Sequence, residues 1–342
     1  MKICLINCSN PTTELLGHES DSYVDYRMGR ASCFDGSKCL KHCRSWHSWP
    51  YALETEFFVY LKDKWQEIYK YDAVIVLVNR EIDKVMPLVK KLKAMKKKVA
   101  ISFHESVSDF FGGSGFSNED LPKRWIGLAE LVKEADFYIN LFEQARPVFS
   151  GWFGQEKVKY CSHAVPLDWR HGFEIPFEKR GKDILIGTRT FNQRIARNTL
   201  ATLCVLNGLS KQHGWNIHYL SEDGDVTPLL GKMGLMNIKT HTGPLKWEDW
   251  LKFVADTKVV VQSDSSINLG QISMDCAMVD TRCFGGTTWN AILTGNDDGG
   301  DFRKWENELV DLLLNNKRLS CETFKKSINP DFVKSDLINL FK

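Results

Sequence analysis

The 342-residue sequence lacks any uninterrupted apolar stretch of the roughly 18 residues that a membrane-spanning helix requires. This absence excludes an ordinary transmembrane protein. Met1 is followed directly by KICLIN, which reads as a strand rather than as a secretory signal peptide. We therefore predict a cytoplasmic protein and leave peripheral contact with a membrane surface open.

The sequence also lacks a surplus of charge of either sign. It has 45 Lys and Arg residues against 43 Asp and Glu residues, a formal net charge of +2. A balance this close provides no global field that would recruit nucleic acid. The run KKLKAMKKK at residues 90–98 is a local exception, and the pattern is also typical of a solvated helix face.

A framework of closely spaced cysteines is missing as well. The ten cysteines are spread along the chain, and Cys4, Cys161, Cys204 and Cys276 fall inside predicted strands or helices. This distribution predicts buried, reduced thiols and a reducing compartment rather than a disulfide scaffold.

What the sequence does contain is an alternation of apolar strand-like runs and helical segments. In the first half the predicted strands are KICLIN, DAVIVLV, KKVAISF, DFYINL and KVKYCSHAV. Helices are predicted between them at residues 51–70, 81–95 and 121–135. This βαβ order predicts a mainly parallel, doubly wound sheet with helices on both faces.

The same alternation restarts after a stretch rich in proline, glycine and charge. The predicted strands of the second half are DILIGT, WNIHYLS, NIKTHTG, KVVVQS and a short strand near Cys283, with helices at 195–212, 227–234, 247–256 and 271–279. The length also suits two domains better than one. We predict an α/β chain with Rossmann-like domains at 1–165 and 182–315, a linker or hinge at 166–181, and C-terminal helices at 316–342 that pack back on the first domain.

The most informative segment follows the predicted strand Lys258 to Gln262. A polar loop there closes at Asn268, Leu269 and Gly270, and a helix opens near Gln271. The backbone N–H groups at the start of such a helix suit a bound phosphate. Asp275, on the first turns of that helix, offers a carboxylate to the hydroxyls of a ribose.

A second basic cluster follows the strand DILIGT. Arg189, Arg194 and Arg197 lead into a predicted helix, and arginines at a helix start favour an anion such as a diphosphate. In the first half, His104 and Glu105 come directly after AISF, where a strand-end histidine faces a ligand or caps its own strand.

Aromatic and metal-ligand patterns give weaker indications. Trp46 and Trp49 suit stacking on an acceptor sugar, although a tryptophan-rich packing patch is the favoured interpretation. The residues Cys33, Cys39, Cys43 and His47 have a spacing that departs from common zinc motifs. The Asp-x-Asp of Asp223 to Asp225 is also a simple turn signal. We therefore predict no bound metal and no required cofactor.

Together, these residues resemble the GT-B glycosyltransferases, and within them the retaining glycosyltransferase family 4, also called group 1. In that family a strand-end Gly-x-Arg and a later basic residue bind the donor diphosphate. The matching residues here are Gly187, Thr188 and Arg189, with Arg194 in place of the usual lysine.

The resemblance extends to the two other motifs. His104 matches the family's histidine of the acceptor domain, Leu269-Gly270 matches its Phe-Gly, and Asp275 matches the second of two glutamates. The first glutamate has no match, because Ile267 stands at its position. The family's small-Pro-Val is replaced by Thr281-Arg282-Cys283.

The resemblance implies two domains that face each other across a cleft, and transfer of a sugar from a nucleotide-sugar donor, a UDP-sugar being favoured, with retained configuration. The acceptor would be a hydroxyl group on a glycan, a lipid or a protein. In this interpretation His104, Arg189 and Arg194 are catalytic. Donor binding is assigned to Gly187, Thr188, Arg189, Arg194, Asn268, Leu269, Gly270, Gln271 and Asp275, and weak acceptor contacts to Glu105, Trp46 and Trp49.

Two alternatives remain open at this point. The same chemistry could act on modified bases of phage DNA, for which residues 90–98 would supply positive charge. The protein could instead be a nucleotide-sugar epimerase or a binding protein without transferase activity.

Overall fold

The computed structural model describes residues 1–7, 23–25, 48–59, 65–78, 82–103, 120–165, 173, 175–187, 198–221, 224–243, 247–264, 270–286, 301–314 and 322–342. The chain divides into two compact units. The first comprises Met1–Pro166 together with Lys326–Lys342, and the second comprises Leu167–Lys325.

The first unit is built on a seven-stranded sheet. Its strands are β1 (Ile3–Asn7), β2 (Tyr23–Asp25), β3 (Glu56–Val59), β4 (Ala73–Val78), β5 (Lys98–Phe103), β6 (Phe137–Asn140) and β7 (Val158–Tyr160). They lie in the order β2-β3-β1-β4-β5-β6-β7. All pairs are parallel except β2 with β3.

Burial on both faces explains the composition of the central strands. Every residue of β4, with the sequence AVIVLV, is buried, as is every residue of β1. Continuous apolar runs of this kind are typical of parallel strands covered by helices on both sides. The covering elements of this unit are α1 (Ser48–Leu53), α2 (Trp65–Ile68), α3 (Ile82–Ala94), α4 (Asp120–Glu134), α5 (Arg146–Phe153) and α12 (Pro330–Leu340).

The C-terminal helix α12 belongs to this first unit and packs against α1. Lys334 Nζ lies 2.6 Å from Glu54 Oε2, and the ring of Phe341 lies 4.8 Å from that of Phe137. The backbone just before α12 is also attached, because Val165 N–H donates to the carbonyl of Ile328 at 2.9 Å.

The second unit is built on a five-stranded, wholly parallel sheet in the order β10-β9-β8-β11-β12. Its strands are β8 (Lys182–Ile186), β9 (Ile217–Ser221), β10 (Ile238–Thr242), β11 (Thr257–Val261) and β12 (Arg282–Phe284). Its helices are α6 (Thr199–His213), α7 (Thr227–Lys232), α8 (Trp247–Ala255), α9 (Gln271–Met278), α10 (Trp305–Leu313) and α11 (Glu322–Ser327), the last of which reaches the boundary between the units. One large core cluster of this unit centres on Ile184, Ile217, Val259 and Trp305.

Three details of the sequence interpretation are wrong. The helix predicted at 51–70 is instead α1, β3 and α2, because the apolar segment EFFV pairs with β1 and β2. Helix α5 was not predicted. Cys204 is exposed rather than buried, whereas Cys4, Cys161 and Cys276 are buried as expected.

Among the helices of the described residues, none combines the length and the apolar character needed to cross a bilayer.

Candidate functional site

The strand order of the second unit creates a crevice at one place. The chain adds β9 and β10 on one side of β8, then returns to add β11 and β12 on the other. In open parallel sheets, ligands bind at the carboxyl ends of the strands where this reversal occurs. Gly187 follows β8, and Gln262 to Asp264 follow β11. These residues form the part of the crevice floor that the structure describes.

Close packing at the end of β8 leaves little space for a side chain at Gly187. Its N–H donates to the carbonyl of Val261 at 2.8 Å. A Cβ atom added here would lie 3.0 Å from Ile272 Cγ2 and 3.1 Å from Val260 Cγ1. The strand therefore ends directly against α9. The residues Thr188, Arg189, Arg194 and Arg197 lie outside the described residues, so their predicted roles stay predictions.

The loop after β11 is attached to the start of α6. Ser263 Oγ shares a hydrogen bond with Thr202 Oγ1, and the carbonyl of Ser263 accepts from Asn198 Nδ2 at 3.3 Å. Asn198 has the left-handed φ of +49°, and its own carbonyl accepts from Thr202 N–H at 3.0 Å. These bonds hold the start of α6 beside the end of β11.

Gly286 supports the same loop from the other side. Its φ is +77°, and an added Cβ would lie 2.7 Å from the carbonyl oxygen of Asp264 and 2.8 Å from that of Gln262. Only glycine allows so close a backbone approach at a positive φ.

Gln262 places a buried polar atom beside these contacts. Its side chain is 4% exposed, and its Oε1 accepts no hydrogen bond within the part of the chain that the structure describes. Its backbone N–H donates to the carbonyl of Phe284 at 2.8 Å. A buried acceptor of this kind is costly unless a donor reaches it.

Helix α9 begins where the sequence predicts. Gly270 precedes it with a φ of +85°, and Gln271 is its first residue. The first backbone N–H groups of a helix have no partner inside the helix and carry partial positive charge. Asn268 and Leu269 lie outside the described residues.

Asp275 is held inside the protein. It is 2% exposed, and its Oδ2 accepts from the indole N–H of Trp250 at 2.9 Å. Its Oδ1 accepts from Gln271 Nε2 at 3.4 Å. The carboxylate therefore connects α8 to α9 in this structure, and its contact with a ribose stays a prediction.

Trp49 is a core residue, which corrects the expectation that it faces an acceptor. Its side chain is wholly buried, and its indole N–H donates to the carbonyl of Ser162 at 2.8 Å. Its ring meets that of His163 edge to face at 6.1 Å. The other predicted residues of the first unit, His104, Glu105 and Trp46, lie outside the described residues.

The basic run at residues 90–98 is largely engaged within the first unit. Its contacts are Lys91 Nζ at 3.4 Å from the Trp65 ring centroid, Lys93 Nζ at 2.6 Å from Asp136 Oδ1, Lys97 Nζ at 2.5 Å from the carbonyl of Tyr71, and Lys98 Nζ at the carbonyl of Phe341. These contacts hold the four lysines against their own unit, and the ion pair with Asp136 offsets the charge of Lys93.

The described residues contain no group of three or more His, Cys, Asp or Glu side chains that could hold a metal ion. Asp225 of the Asp-x-Asp segment accepts from Thr227 N–H at 2.9 Å, in a turn just before α7. A hydrogen bond from the Thr227 side chain lowers the pKa of Asp225, and this backbone bond lowers it further. Residues 222 and 223, and the four residues Cys33, Cys39, Cys43 and His47, lie outside the described part of the chain.

A pocket of about 520 Å³ opens at the carboxyl ends of β9 and β10. Its lining combines hydroxyl groups, a carboxylate, an imidazole and an aromatic ring, and consists of Leu220, Asp225, Thr227, Thr240, His241, Thr242 and Phe253. The pocket lies at the same end of the sheet as the crevice at β8 and β11. The sequence analysis did not identify it, because its lining comes from four separate segments.

A pair of histidines supports the wall of this pocket. His218 Nδ1 and His241 Nε2 are 2.7 Å apart and share one proton, and their rings are nearly parallel. Burial, together with the nearby positive charges of His241 and Lys182, lowers the pKa of His218 to about 4. Burial also lowers the pKa of His241, so both imidazoles are neutral at physiological pH.

No protein-family model matches the chain, and no curated protein matches it. Solved structures do match. Anabaena HepE, solved with UDP and glucose, superposes with a TM-score of 0.63 at 8% identity, over 100% of this chain and 99% of HepE. The HepE structure with UDP gives a TM-score of 0.64 at 10% identity over the same shares.

A third match is the sucrose-phosphate synthase of Thermosynechococcus elongatus. It superposes with a TM-score of 0.61 at 8% identity, over 100% of this chain and 98% of the synthase. These likenesses cover both sheets and their flanking helices. They confirm the predicted fold class: the chain has the α/β fold of the GT-B proteins.

Proposed function

We propose that the protein is a glycosyltransferase that transfers a sugar from a nucleotide-sugar donor, a UDP-sugar being favoured, to a hydroxyl acceptor. The observation that carries the proposal is the crevice at β8 and β11. There the glycine-lined end of one strand, the buried loop of another and the N-terminus of α9 meet at the reversal of strand order. Such a site suits the phosphates of a nucleotide.

The comparisons support the same class of ligand. HepE was solved with UDP, and with UDP and glucose, and it is similar to this chain over the full length of both. Two further neighbours are a sucrose-phosphate synthase and OtsA. A donor that carries a diphosphate is consistent with all of these observations.

In this proposal the chain's residues mainly position the donor and neutralise charge. The backbone N–H groups from Asn268 to Gln271, with the guanidinium groups of Arg189 and Arg194, hold the diphosphate as negative charge develops on it. Thr188 is the middle residue of the strand-end Gly-x-Arg motif, between Gly187 and Arg189. His104 contacts the transferred sugar, and no metal takes part.

The pocket at β9 and β10 is proposed to receive the nucleoside part of the donor. Its volume of about 520 Å³ suits a base and a ribose. The ring of Phe253 offers a surface for the base, and hydroxyls such as those of Thr240 and Thr242 offer hydrogen bonds.

The proposed acceptor is a hydroxyl on a glycan, a lipid or a protein, with retained configuration at the transferred sugar and a cytoplasmic location. A nucleic acid is the less favoured acceptor, because the net charge of +2 is close to balanced and provides no global field that would recruit it. An epimerase or a binding protein remains the alternative outcome of the test below.

The test is isothermal titration of the purified protein with UDP, GDP, ADP and CMP. We expect one nucleoside diphosphate to bind, and Arg189→Ala to weaken it about ten- to a hundredfold, as loss of a charge-assisted hydrogen bond does. Arg303→Ala is the matched control, because its side chain is 90% exposed and, among the described residues, is paired with the nearby Asp301. Equal binding by both variants would remove the diphosphate role of Arg189.

Binding is then followed by product analysis with the matching nucleotide sugar. Transfer to added saccharide or lipid acceptors supports the proposal. Epimerised sugar without an acceptor, or tight binding without turnover, favours the alternative. If none of the four nucleotides binds, the proposed function is wrong.

A further inference from the structure

Gln262 extends the hydrogen-bond ladder of the second sheet one residue beyond β11. Its N–H donates to the carbonyl of Phe284 on β12 at 2.8 Å. On the other side, Gly187 N–H donates to the carbonyl of Val261 at 2.8 Å. Val261 pairs with Ile186, so one step further along the strands Gln262 lies beside Gly187. Gln262 is therefore held at the crevice between β8 and β11 by bonds on both sides.

The side chain of Gln262 lies on the face of the sheet where α9 begins. Side chains alternate along a strand, and directly opposed residues of neighbouring strands share a face. Gln262 is two residues past Val260 and lies opposite Gly187. A Cβ atom at Gly187 would lie 3.1 Å from Val260 Cγ1 and 3.0 Å from Ile272 Cγ2, and Ile272 is the second residue of α9. The Gln262 side chain is therefore directed to the space beside the start of α9.

The carboxamide oxygen of Gln262 is a buried acceptor that no protein donor uses. Gln262 is 4% exposed, and its Oε1 accepts no hydrogen bond from the residues that the structure describes. Asp275 differs, because its two oxygens accept from Trp250 and Gln271. Buried polar atoms in folded proteins are nearly always paired, and an unpaired one is costly. The donor for Gln262 Oε1 is therefore expected from a bound ligand.

The chemistry of this acceptor excludes the diphosphate as its partner. The ionised oxygens of a diphosphate accept hydrogen bonds and do not donate them, so they cannot pair with a carboxamide oxygen. In the proposed function the diphosphate is held by the N–H groups at the start of α9. Hydroxyl groups lie on either side of the diphosphate in a nucleotide sugar, on the ribose and on the transferred sugar. These hydroxyls are the donors that such a ligand brings to Gln262.

We propose that Gln262 is a specificity-determining residue of the donor site. Its Oε1 accepts a hydrogen bond from a hydroxyl group of a UDP-sugar, on the ribose or on the transferred sugar next to the diphosphate. A ligand that lacks this hydroxyl leaves Oε1 buried and unpaired, and the site therefore binds it more weakly. This inference rests on the proposed function and adds to it a residue that selects a hydroxyl.

The first part of the test is the thermal unfolding of ligand-free Gln262→Leu, whose new side chain is similar in size and has no acceptor. We expect its melting temperature to equal or exceed that of the wild type, because the variant removes an unpaired buried acceptor. A side chain that only supported the fold would lower the melting temperature when replaced. Gln212→Leu is the matched control, because Gln212 is exposed on α6, and it should leave nucleotide affinity unchanged.

Isothermal titration then compares UDP, 2′-deoxy-UDP, 3′-deoxy-UDP and UDP-glucose. We expect Gln262→Leu to bind the probes that carry the contacted hydroxyl about three- to tenfold more weakly than the wild type does, as loss of one hydrogen bond predicts. It should bind a probe without that hydroxyl as the wild type does. Weaker binding of UDP but not of one deoxy form assigns the contact to the ribose. Weaker binding of UDP-glucose alone assigns it to the transferred sugar.

Three results overturn the inference and leave the proposed function standing. They are a lower melting temperature of ligand-free Gln262→Leu, wild-type affinity of this variant for all four probes, and an equal loss of affinity for all four. If the wild-type protein binds none of the four probes, the UDP-sugar assignment of the proposed function fails, and this inference fails with it.

Discussion

Trp250 and Asp275 are joined by a buried hydrogen bond of 2.9 Å between the indole N–H and Oδ2. Each side chain is at most 2% exposed. The bond connects α8 to α9, the helix whose N-terminus lies in the candidate donor site. The position of that helix end thus depends on a carboxylate four residues into the helix.

Replacing Asp275 should therefore affect stability as well as ligand binding. Asp275→Leu leaves the Trp250 N–H buried without an acceptor, and we expect the free energy of unfolding to fall by about 2–3 kcal/mol. Asp275→Asn keeps an acceptor oxygen and should cost less. Gln271→Ala, which removes only the longer contact of 3.4 Å, is the matched control. Urea unfolding measures all three, and a Leu variant as stable as wild type would contradict this role.

The close approach at Gly286 predicts a strong glycine requirement. In Gly286→Ala the new methyl group would meet the carbonyl oxygen of Asp264 at 2.7 Å in a left-handed backbone. We expect a loss of about 2 kcal/mol or more and weaker nucleotide binding. Gly208→Ala is the matched control, because Gly208 lies in α6 with no atom within 4 Å of an added Cβ, and it should gain up to about 1 kcal/mol. Similar melting temperatures for the two variants would argue against strain at Gly286.

The histidine pair predicts a pH dependence of stability. The pKa of His218 falls from 6.5 to about 4 on folding, so the unfolded chain binds more protons between these values. The resulting stability is fully present above pH 6.5 and is lost as the pH falls towards 4, by on the order of 2 kcal/mol. His218→Gln should remove this part of the pH profile in chemical denaturation. If the stability–pH profiles of wild type and His218→Gln superimpose, the histidine pair does not titrate as described.

Arg180 is expected to be a stabilising centre of the second unit. It is 8% exposed, and its guanidinium donates to the carbonyls of Ile175, Thr257 and Asp280 and to Thr281 Oγ1, at distances between 2.9 and 3.1 Å. Arg180→Ala leaves several buried acceptors without donors, so we expect a loss of about 3 kcal/mol or more. Arg303→Ala should leave stability nearly unchanged, because its ion pair is exposed. A small effect at Arg180 would mean that water replaces its hydrogen bonds.

Strand positions could be predicted from the sequence because parallel strands buried on both faces are continuous apolar runs. The run AVIVLV at β4 is an example. The start of α9 at Gln271 was also predicted correctly. The segment EFFV was assigned to a helix, since a four-residue apolar run has no decisive period. Its pairing with β1 and β2, which are distant in sequence, makes it a strand.

The strand ends and the helix start that form the crevice at β8 and β11 could be recognised in the sequence, and their role in binding stays a prediction. The direction of individual side chains was not predictable. Asp275 turns to Trp250, and His218 meets His241 across neighbouring strands. Both contacts depend on how α8 and the sheet pack, which no local pattern contains.

The attachment of α12 to the first unit has a consequence for biosynthesis. The first unit consists of Met1–Pro166 and Lys326–Lys342, so its structure is completed by residues made after the whole second unit has been synthesised. The second unit is one continuous segment and can begin to fold while the ribosome is still translating. The second unit is therefore expected to complete its folding before the first, although the first unit begins earlier in the gene. A stop codon before Lys326 would remove α12 and would therefore disrupt the first unit before the second.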